Sequence, residues 1–452
     1  MMSLAEAASA IQGRLSGADA VFQGVSTDSR TMARGELFVA IRGERFDGHG
    51  FLAAAKERGA AGALVDEKFA AQAPLPGTGL PLLVADDTRK GLGRLGRHWR
   101  LRFAPALIAL TGSNGKTTTK EMLAAILRRH AGEAGALATA GNLNTDIGVP
   151  MTLLRMRAAH RYCAIELGMN HPGEIAELAA IALPTVALVN NAQREHQEFM
   201  HSVEAVAAEN ASVFEALPPE GIAVLNADDP MAPVFREKAG RRRRIEFGLG
   251  RGEVTGRYAR KGLESEIALK TPAGDAVATL AIPGVHNVMN ALAAAACAHA
   301  AGIPPAAIGA GLSEFRPYTG RLQVKRAASG ATLIDDTYNA NPDSVRAAID
   351  VLASCPGPTA LVLGDMGEVG AQGPAFHEEV GRYAKEKGID AVFSLGTSSR
   401  ETSRAFGGRH VEDLNDVKAG VKDAKTILVK GSRFMKMERV VEALTGEKAG
   451  GH

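Results

Sequence analysis

From about residue 106 onward the chain alternates short apolar runs with longer amphipathic stretches, and a glycine or a polar turn separates them. The runs at 106–110, 163–167, 185–189, 221–225, 333–336, 360–363, 391–395 and 426–429 are bounded by turn residues and read as buried strands. Residues 117–129 read as a helix, with Leu123, Ile126, Leu127 and His130 on one stripe. Helices between most strands predict parallel α/β sheets. A second helix is expected after Ser202, whose hydroxyl can cap it, with Val203, Val206, Ala207, Asn210, Phe214 and Leu217 on one face. Asn210 interrupts that face. A buried amide without partners costs about 1–3 kcal/mol, so Asn210 either ties down a backbone group or faces a polar crevice. The proline- and glycine-rich stretch 70–81 and the turn at 315–320 mark boundaries. The expected organisation is three α/β domains: 1–85, 86–316 with a mostly parallel sheet, and a Rossmann-like 317–452.

Composition narrows the classes. At roughly 150 residues per domain, 452 residues also suggest three domains. Hydrophobic residues at 46% and charged residues at 23% exclude wholesale disorder. The net charge, 52 − 50 = +2, and 5% aromatics argue against a surface that coats or stacks on nucleic acid. Glycine, 51 residues, is in excess, which suits many tight strand–helix junctions. Three cysteines at unrelated spacings suggest a reducing compartment. The N-terminus has no signal-peptide pattern, and the apolar stretch 291–303 is shorter than the ~20 residues of a membrane span. A soluble cytoplasmic protein is expected. The arginine run 241–244 reads as a solvated loop, and 446–452 as a frayed end.

The chemistry concentrates where strands end. Residues 111–120, Thr-Gly-Ser-Asn-Gly-Lys-Thr-Thr-Thr-Lys, lie between a buried strand and an amphipathic helix. Gly112, Ser113, Asn114 and Gly115 can turn backbone N–H groups toward phosphate oxygens, and Thr118 continues into the helix whose N-terminus carries a positive dipole end. Lys116 would reach the β- and γ-phosphates of a nucleotide, and the Thr117 hydroxyl would hold Mg²⁺. The general form of this motif has a glycine where Leu110 stands, so this is a shortened variant. Glu166 ends the next strand, where a carboxylate can hold Mg²⁺ across from the loop. His196 follows the strand after that and is either a metal or phosphate contact or a structural histidine. Asn287 and Asn290, spaced i, i+3, either read an adenine edge or cap a helix. Asp336 either grips ribose hydroxyls or closes a turn.

Together these segments resemble the Mur ligase superfamily over nearly the whole chain. The resemblance rests on 26–30 with 46–51, 111–120, 141–150, 166–175, 284–290, 319–322, 335–344, 363–370 and 430–433. It implies a domain for a uridine nucleotide, an ATPase domain and a domain that brings an amine. The implied reaction is ATP-dependent joining of D-alanyl-D-alanine to UDP-N-acetylmuramoyl-tripeptide through an acyl phosphate, in peptidoglycan precursor synthesis. The implied partners are these small molecules and ATP with Mg²⁺, on a monomer with no nucleic acid and no membrane insertion. Carried over by position, Lys116 and Arg321 would contact the γ-phosphate. Thr117 and Glu166 would hold one Mg²⁺ and His196 a second. Asn142 would support phosphates, Asn287 adenine and Asp336 ribose. Thr27, Asp28, Ser29 and Arg30 with Asp47, Gly48 and His49 would sit at the uridine end. Asn339, Asn341 and Lys430 would serve the dipeptide and acyl-phosphate region. Most members carry a carbamylated lysine fourteen residues after the histidine. Here that position is Asn210, whose amide oxygen is expected to substitute near the second metal. The competing expectations are a folylpolyglutamate synthase-like ligase of the same superfamily, or a P-loop ATPase that forms no amide.

Overall fold

A computed structural model describes residues 1–43, 46–72, 79–195 and 197–447. Three large sheets organise them, beside a two-stranded pair of Met2–Ser3 with Val21–Phe22. The first has five strands in the order Arg14–Ser16, Leu82–Ala85, Gly62–Asp66, Glu36–Val39, Gly24–Ser26, parallel except for Arg14–Ser16. Gly62–Asp66 and Leu82–Ala85 are buried throughout, as strands covered on both faces must be.

The central sheet has nine strands: Ala136–Ala138, Tyr162–Glu166, Ala106–Thr111, Val186–Val189, Ile222–Asn226, Arg243–Gly248, Val254–Lys261, Glu264–Thr271 and Gly274–Leu280. The pairs from Ala136–Ala138 to Val254–Lys261 are parallel, and the last two are antiparallel. The chain leaves Ala106–Thr111 toward one side of the sheet and returns to its other side, so a crevice opens at that strand's carboxyl end. Register aligns Glu166 with Leu110 and Val189 with Thr111, which brings three strand ends to one edge. Beneath them, the helices Lys116–Ala131 and Val285–Ala300 pack together. The apolar stretch that begins at Ala291 lies in the second of these, and Ala291–Ala298 is wholly buried because alanines let backbones approach closely.

The antiparallel strands Glu264–Thr271 and Gly274–Leu280 fit the expected mostly parallel sheet, but they were not among the strands expected from the sequence. Ser265, Ile267, Leu269 and Thr271 alternate inward, the period of a half-covered strand, and this was readable in the sequence. Arg243 and Arg244 are solvent-exposed as expected, but they open a strand rather than lie in a loop. Ser202 does cap its helix, Val203–Ala211, by accepting from the Ala205 N–H at 3.1 Å. The α-helix then tightens to a 3₁₀ turn over Ser212–Ala216, so Phe214 and Leu217 lie beyond it. Residues 73–78 of the stretch 70–81, and 448–452 of the tail, lie outside the described residues.

The third sheet has six strands in the order Gln323–Arg326, Thr332–Asp336, Thr426–Lys430, Thr359–Gly364, Ala391–Leu395, Arg409–His410, parallel apart from the first pair. Asp336 and Lys430 are direct cross-strand neighbours at its edge facing the central crevice.

Candidate active site

The turn between Ala106–Thr111 and Lys116–Ala131 depends on two glycines in conformations that side chains avoid. Gly112 has φ +136° and Gly115 φ +80°. A Cβ on Gly115 would lie 2.3 Å from the Asn290 amide oxygen. Around this turn the amides interlock. Asn190 Nδ2 donates to the Asn114 carbonyl (2.8 Å) and to Asn290 Oδ1 (2.9 Å). Asn290 Nδ2 donates to Asn287 Oδ1 at 3.0 Å, and the Asn114 N–H donates to Asn191 Oδ1 at 2.9 Å. Lys116 Nζ folds back onto the Gly112 and Ser113 carbonyls, at 2.6 and 3.2 Å, and pairs with Glu195 Oε1 at 2.7 Å.

Opposite the turn stands Glu166, nearly fully buried. Its Oε1 accepts from the Thr117 hydroxyl at 3.2 Å and from Asn144 Nδ2 at 2.9 Å. Its Oε2 is buried without a hydrogen-bond partner among the described residues. A bare carboxylate oxygen beside a threonine hydroxyl is a hard-oxygen donor set that suits a small divalent cation. Arg321 stacks 3.9 Å over the Tyr338 ring and reaches Thr117 Oγ1 at 3.5 Å. These groups line a cavity of about 710 Å³, together with Asn142, Asn339, Asn341, Arg89, Lys430 and Arg433.

The far wall comes from the third sheet. Lys430 Nζ binds Asp336 Oδ2 at 2.5 Å and the Asn339 carbonyl at 2.9 Å. Burial pulls the Lys430 pKa below its ordinary value, against the opposing charge of Asp336. Asn341 caps the helix Pro342–Ala353 through the Ser344 N–H and donates to Asn114 Oδ1 at 2.9 Å, joining the two sheets across the turn. A second cavity, about 410 Å³, lies beside the first, lined by Asn287, Asn290, Asp228, Leu249, Asp336 and Ala348 among others. In it the Asn287 amide is engaged by Asn290 and by the Pro283 carbonyl at 2.7 Å.

Several expected site residues stand apart from both cavities. Asn210 is completely buried and lines neither cavity; its oxygen accepts from Thr111 Oγ1 at 2.6 Å and its nitrogen donates to the Val206 carbonyl at 3.1 Å. It ties the helix to the strand. The His49 ring stacks on Phe69, Nδ1 contacts Asp47 Oδ1 at 2.6 Å and Nε2 accepts from the Asp66 N–H. Neither it nor Thr27, Asp28, Ser29, Arg30, Asp47 and Gly48 line either cavity. Arg30 grips Asp28, which holds that carboxyl down at about 2. His196 lies outside the described residues. Sequence reasoning missed Asn144, Glu195 and Arg433, which sit inside motifs it had marked, and Arg89, which nothing in its local sequence signals.

A glycine-turn nucleotide cradle, a strand-end carboxylate and a cationic wall from a further α/β sheet define a phosphate-handling enzyme of the multidomain ligase kind. Three family descriptions match in order: "Mur ligase family, catalytic domain" over 21–100, "Mur ligase middle domain" over 110–298 and "Mur ligase, glutamate ligase domain" over 320–434. The chain belongs to the Mur ligase family. It is 42% identical to the UDP-N-acetylmuramoyl-tripeptide–D-alanyl-D-alanine ligase of Escherichia coli, over 98% of each chain. Among solved structures, MurF from Acinetobacter baumannii superposes with a TM-score of 0.89 at 34% identity, over 98% of each chain. MurF ligase from Thermotoga maritima in complex with ADP gives 0.81 at 25% identity, over 94% of this chain and 98% of that one. Among the described residues no helix is long and apolar enough to cross a membrane.

Proposed function

We propose that this chain joins D-alanyl-D-alanine to UDP-N-acetylmuramoyl-tripeptide with cleavage of ATP to ADP and phosphate. The observation that carries the reading is the shared cavity: Lys116, Thr117, Glu166 and Arg321 face Lys430 and Asn339 across about 710 Å³. The likeness in order and length to the Escherichia coli ligase supports it.

The tripeptide carboxylate must approach the γ-phosphate, so two anions meet, and fixed cations have to offset their repulsion. Lys116 would leave Glu195 for the phosphates, and Arg321, held flat on Tyr338, would face the transferred group. The carboxylate oxygen attacks phosphorus, ADP departs, and an acyl phosphate results. The amine then attacks the acyl carbon, loses a proton, and phosphate leaves. Glu166 and Thr117 would hold Mg²⁺, with His196 as the expected contact to a second ion; bound there, the metal supplies charge neutralisation on the phosphates. Asn142 would brace the phosphates, and Asp336 would reach the ribose. Asn339, Asn341 and Lys430 would shape the seat of the acyl phosphate and dipeptide. The Thr27–Arg30 and Asp47–His49 segments belong to the domain that would hold the uridine nucleotide. On this reading residues 1–85, 86–316 and 317–452 carry the uridine substrate, ATP and the amine, and the protein works as a cytoplasmic monomer.

Phosphate release in the presence of ATP, Mg²⁺, UDP-N-acetylmuramoyl-tripeptide and D-alanyl-D-alanine tests this. Release should need both acceptors and fall by about 10²–10³ in Lys116→Ala. Equal release without an amine would refute amide formation.

A further inference from the structure

A four-charge node joins the central sheet to the third one. Arg194 lies in the loop that leaves strand Val186–Val189, just past the residues that hold the phosphate turn. Its backbone N–H donates to Asp343 Oδ2 at 2.9 Å, and its guanidinium meets Asp343 Oδ1 at 2.6 Å. The same guanidinium grips Glu379, Nη1 to Oε2 at 2.7 Å and Nη2 to Oε1 at 3.0 Å. Arg346 closes the node on Glu379 at 2.9 Å, and the Phe376 ring lies 5.3 Å beneath Arg194. Asp343 and Arg346 sit on the helix Pro342–Ala353, and Glu379 and Phe376 on the helix Gly373–Glu386. One planar fork therefore spans two helices of one domain from a loop of another, a geometry that fits arginine and not lysine.

The node also lies close in sequence, on both sides, to the groups that face the nucleotide. Asn341, two residues before Asp343, bonds Asn114 of the phosphate turn, and Asn114 in turn donates to Gln193 beside Arg194 at 2.6 Å. Glu195, next along the loop, holds Lys116. We propose that Arg194 is a positioning residue: by clamping Asp343 and Glu379 it sets the amine-carrying domain over the phosphate loop. The kinetic part of this proposal rests on the ligase reading above. The clamp touches none of the reacting groups, and Arg194 and Glu379 line neither cavity, so their loss should weaken use of the amine rather than of ATP; Asp343 also lines the smaller cavity.

Kinetics on the full chain with ATP, Mg²⁺, the uridine tripeptide and D-alanyl-D-alanine read this out. Arg194→Met, Asp343→Asn and Glu379→Gln should each raise KM for the dipeptide at least about fivefold. KM for ATP should stay within about twofold of the wild type in Arg194→Met and Glu379→Gln, the two positions that line neither cavity. Arg194→Lys should recover only part of the loss. Arg194→Met with Asp343→Asn should be no worse than Arg194→Met alone, because both remove one contact. An effect confined to Arg194→Met, with Asp343→Asn and Glu379→Gln like wild type, would mean Arg194 acts on its own loop and would overturn the proposal; so would a matching rise in KM for ATP. Small-angle scattering covers the clamp without substrates: the radius of gyration should grow in Arg194→Met and in Glu379→Gln, and unchanged radii would overturn the clamp. If the wild type turned over no dipeptide while these radii grew, the ligase reading would fail and the clamp would stand.

Discussion

Two lysines face the larger cavity from opposite domains, and they are held in opposite ways. Lys116 rests on carbonyls of its own turn and on Glu195 in a loop, with 14% of its side chain exposed. Lys430 has 4% exposed and is fixed by strand register beside Asp336, with the Asn339 carbonyl taking a further proton. A lysine that must pass to an arriving phosphate is tethered by groups that tolerate exchange. A lysine that shapes a wall is locked where exchange would expose a buried charge. The same residue type thus does two jobs, and the neighbours decide which.

The sharpest way to break this contrast is to remove each ammonium. Lys430→Ala strands the Asp336 carboxylate in the interior and should cost about 3–5 kcal/mol in denaturant unfolding of the C-terminal domain. Replacing both partners, Lys430→Met with Asp336→Asn, should restore most of that, since no charge is left unpaired. Lys116→Ala should cost less, about 1–3 kcal/mol, because its surroundings are part-open. Equal losses at the two positions would erase the distinction.

A gentler variant tests the exchange itself. On the proposed reading Glu195 competes with a nucleotide for Lys116, so Glu195→Gln should tighten ADP binding about fivefold, or about 1 kcal/mol, by calorimetry. Affinity that stays the same or weakens would mean that Glu195 does not have to be displaced from Lys116.

The same contrast explains what the sequence could and could not disclose. The phosphate turn, Glu166 and the Asp336 region were legible because each is a strand end followed by glycines or amides, a local signal. The burial of Asn210 was legible from its place on an apolar stripe. Its partner Thr111 was not, because it lies 99 residues away across the sheet. Arg194 was invisible for the same reason: its carboxylates come 149 and 185 residues later, and nothing near it in sequence marks a domain contact. His49 was marked by resemblance alone; its contacts with Asp47, Asp66 and Phe69 come from the fold of its own domain and carry no local signal. The antiparallel hairpins were not among the expected strands although their alternation is plain, because these strands follow one another without the intervening helix that marks the others.

The smallest expected effect is in pH dependence, and it bears on Lys430 directly. Its folded pKa lies below the ordinary 10.5 because burial disfavours the ammonium more than Asp336 favours it. Below both values the side chain is charged in either state, and the cost of burying it is felt in full. Between the folded value and 10.5 the unfolded chain keeps a proton that the folded chain has released, so this group makes stability rise with pH. Above 10.5 the cost is gone. The Lys430→Met, Asp336→Asn variant lacks this contribution. Its unfolding free energy, followed from about pH 8 upward, should therefore gain less with pH than the wild type, by at most about 1.4 kcal/mol per unit. If the wild type and the variant ran parallel through the alkaline range, Lys430 would titrate as an exposed lysine does, and the asymmetry between the two walls of the cavity would rest on geometry alone.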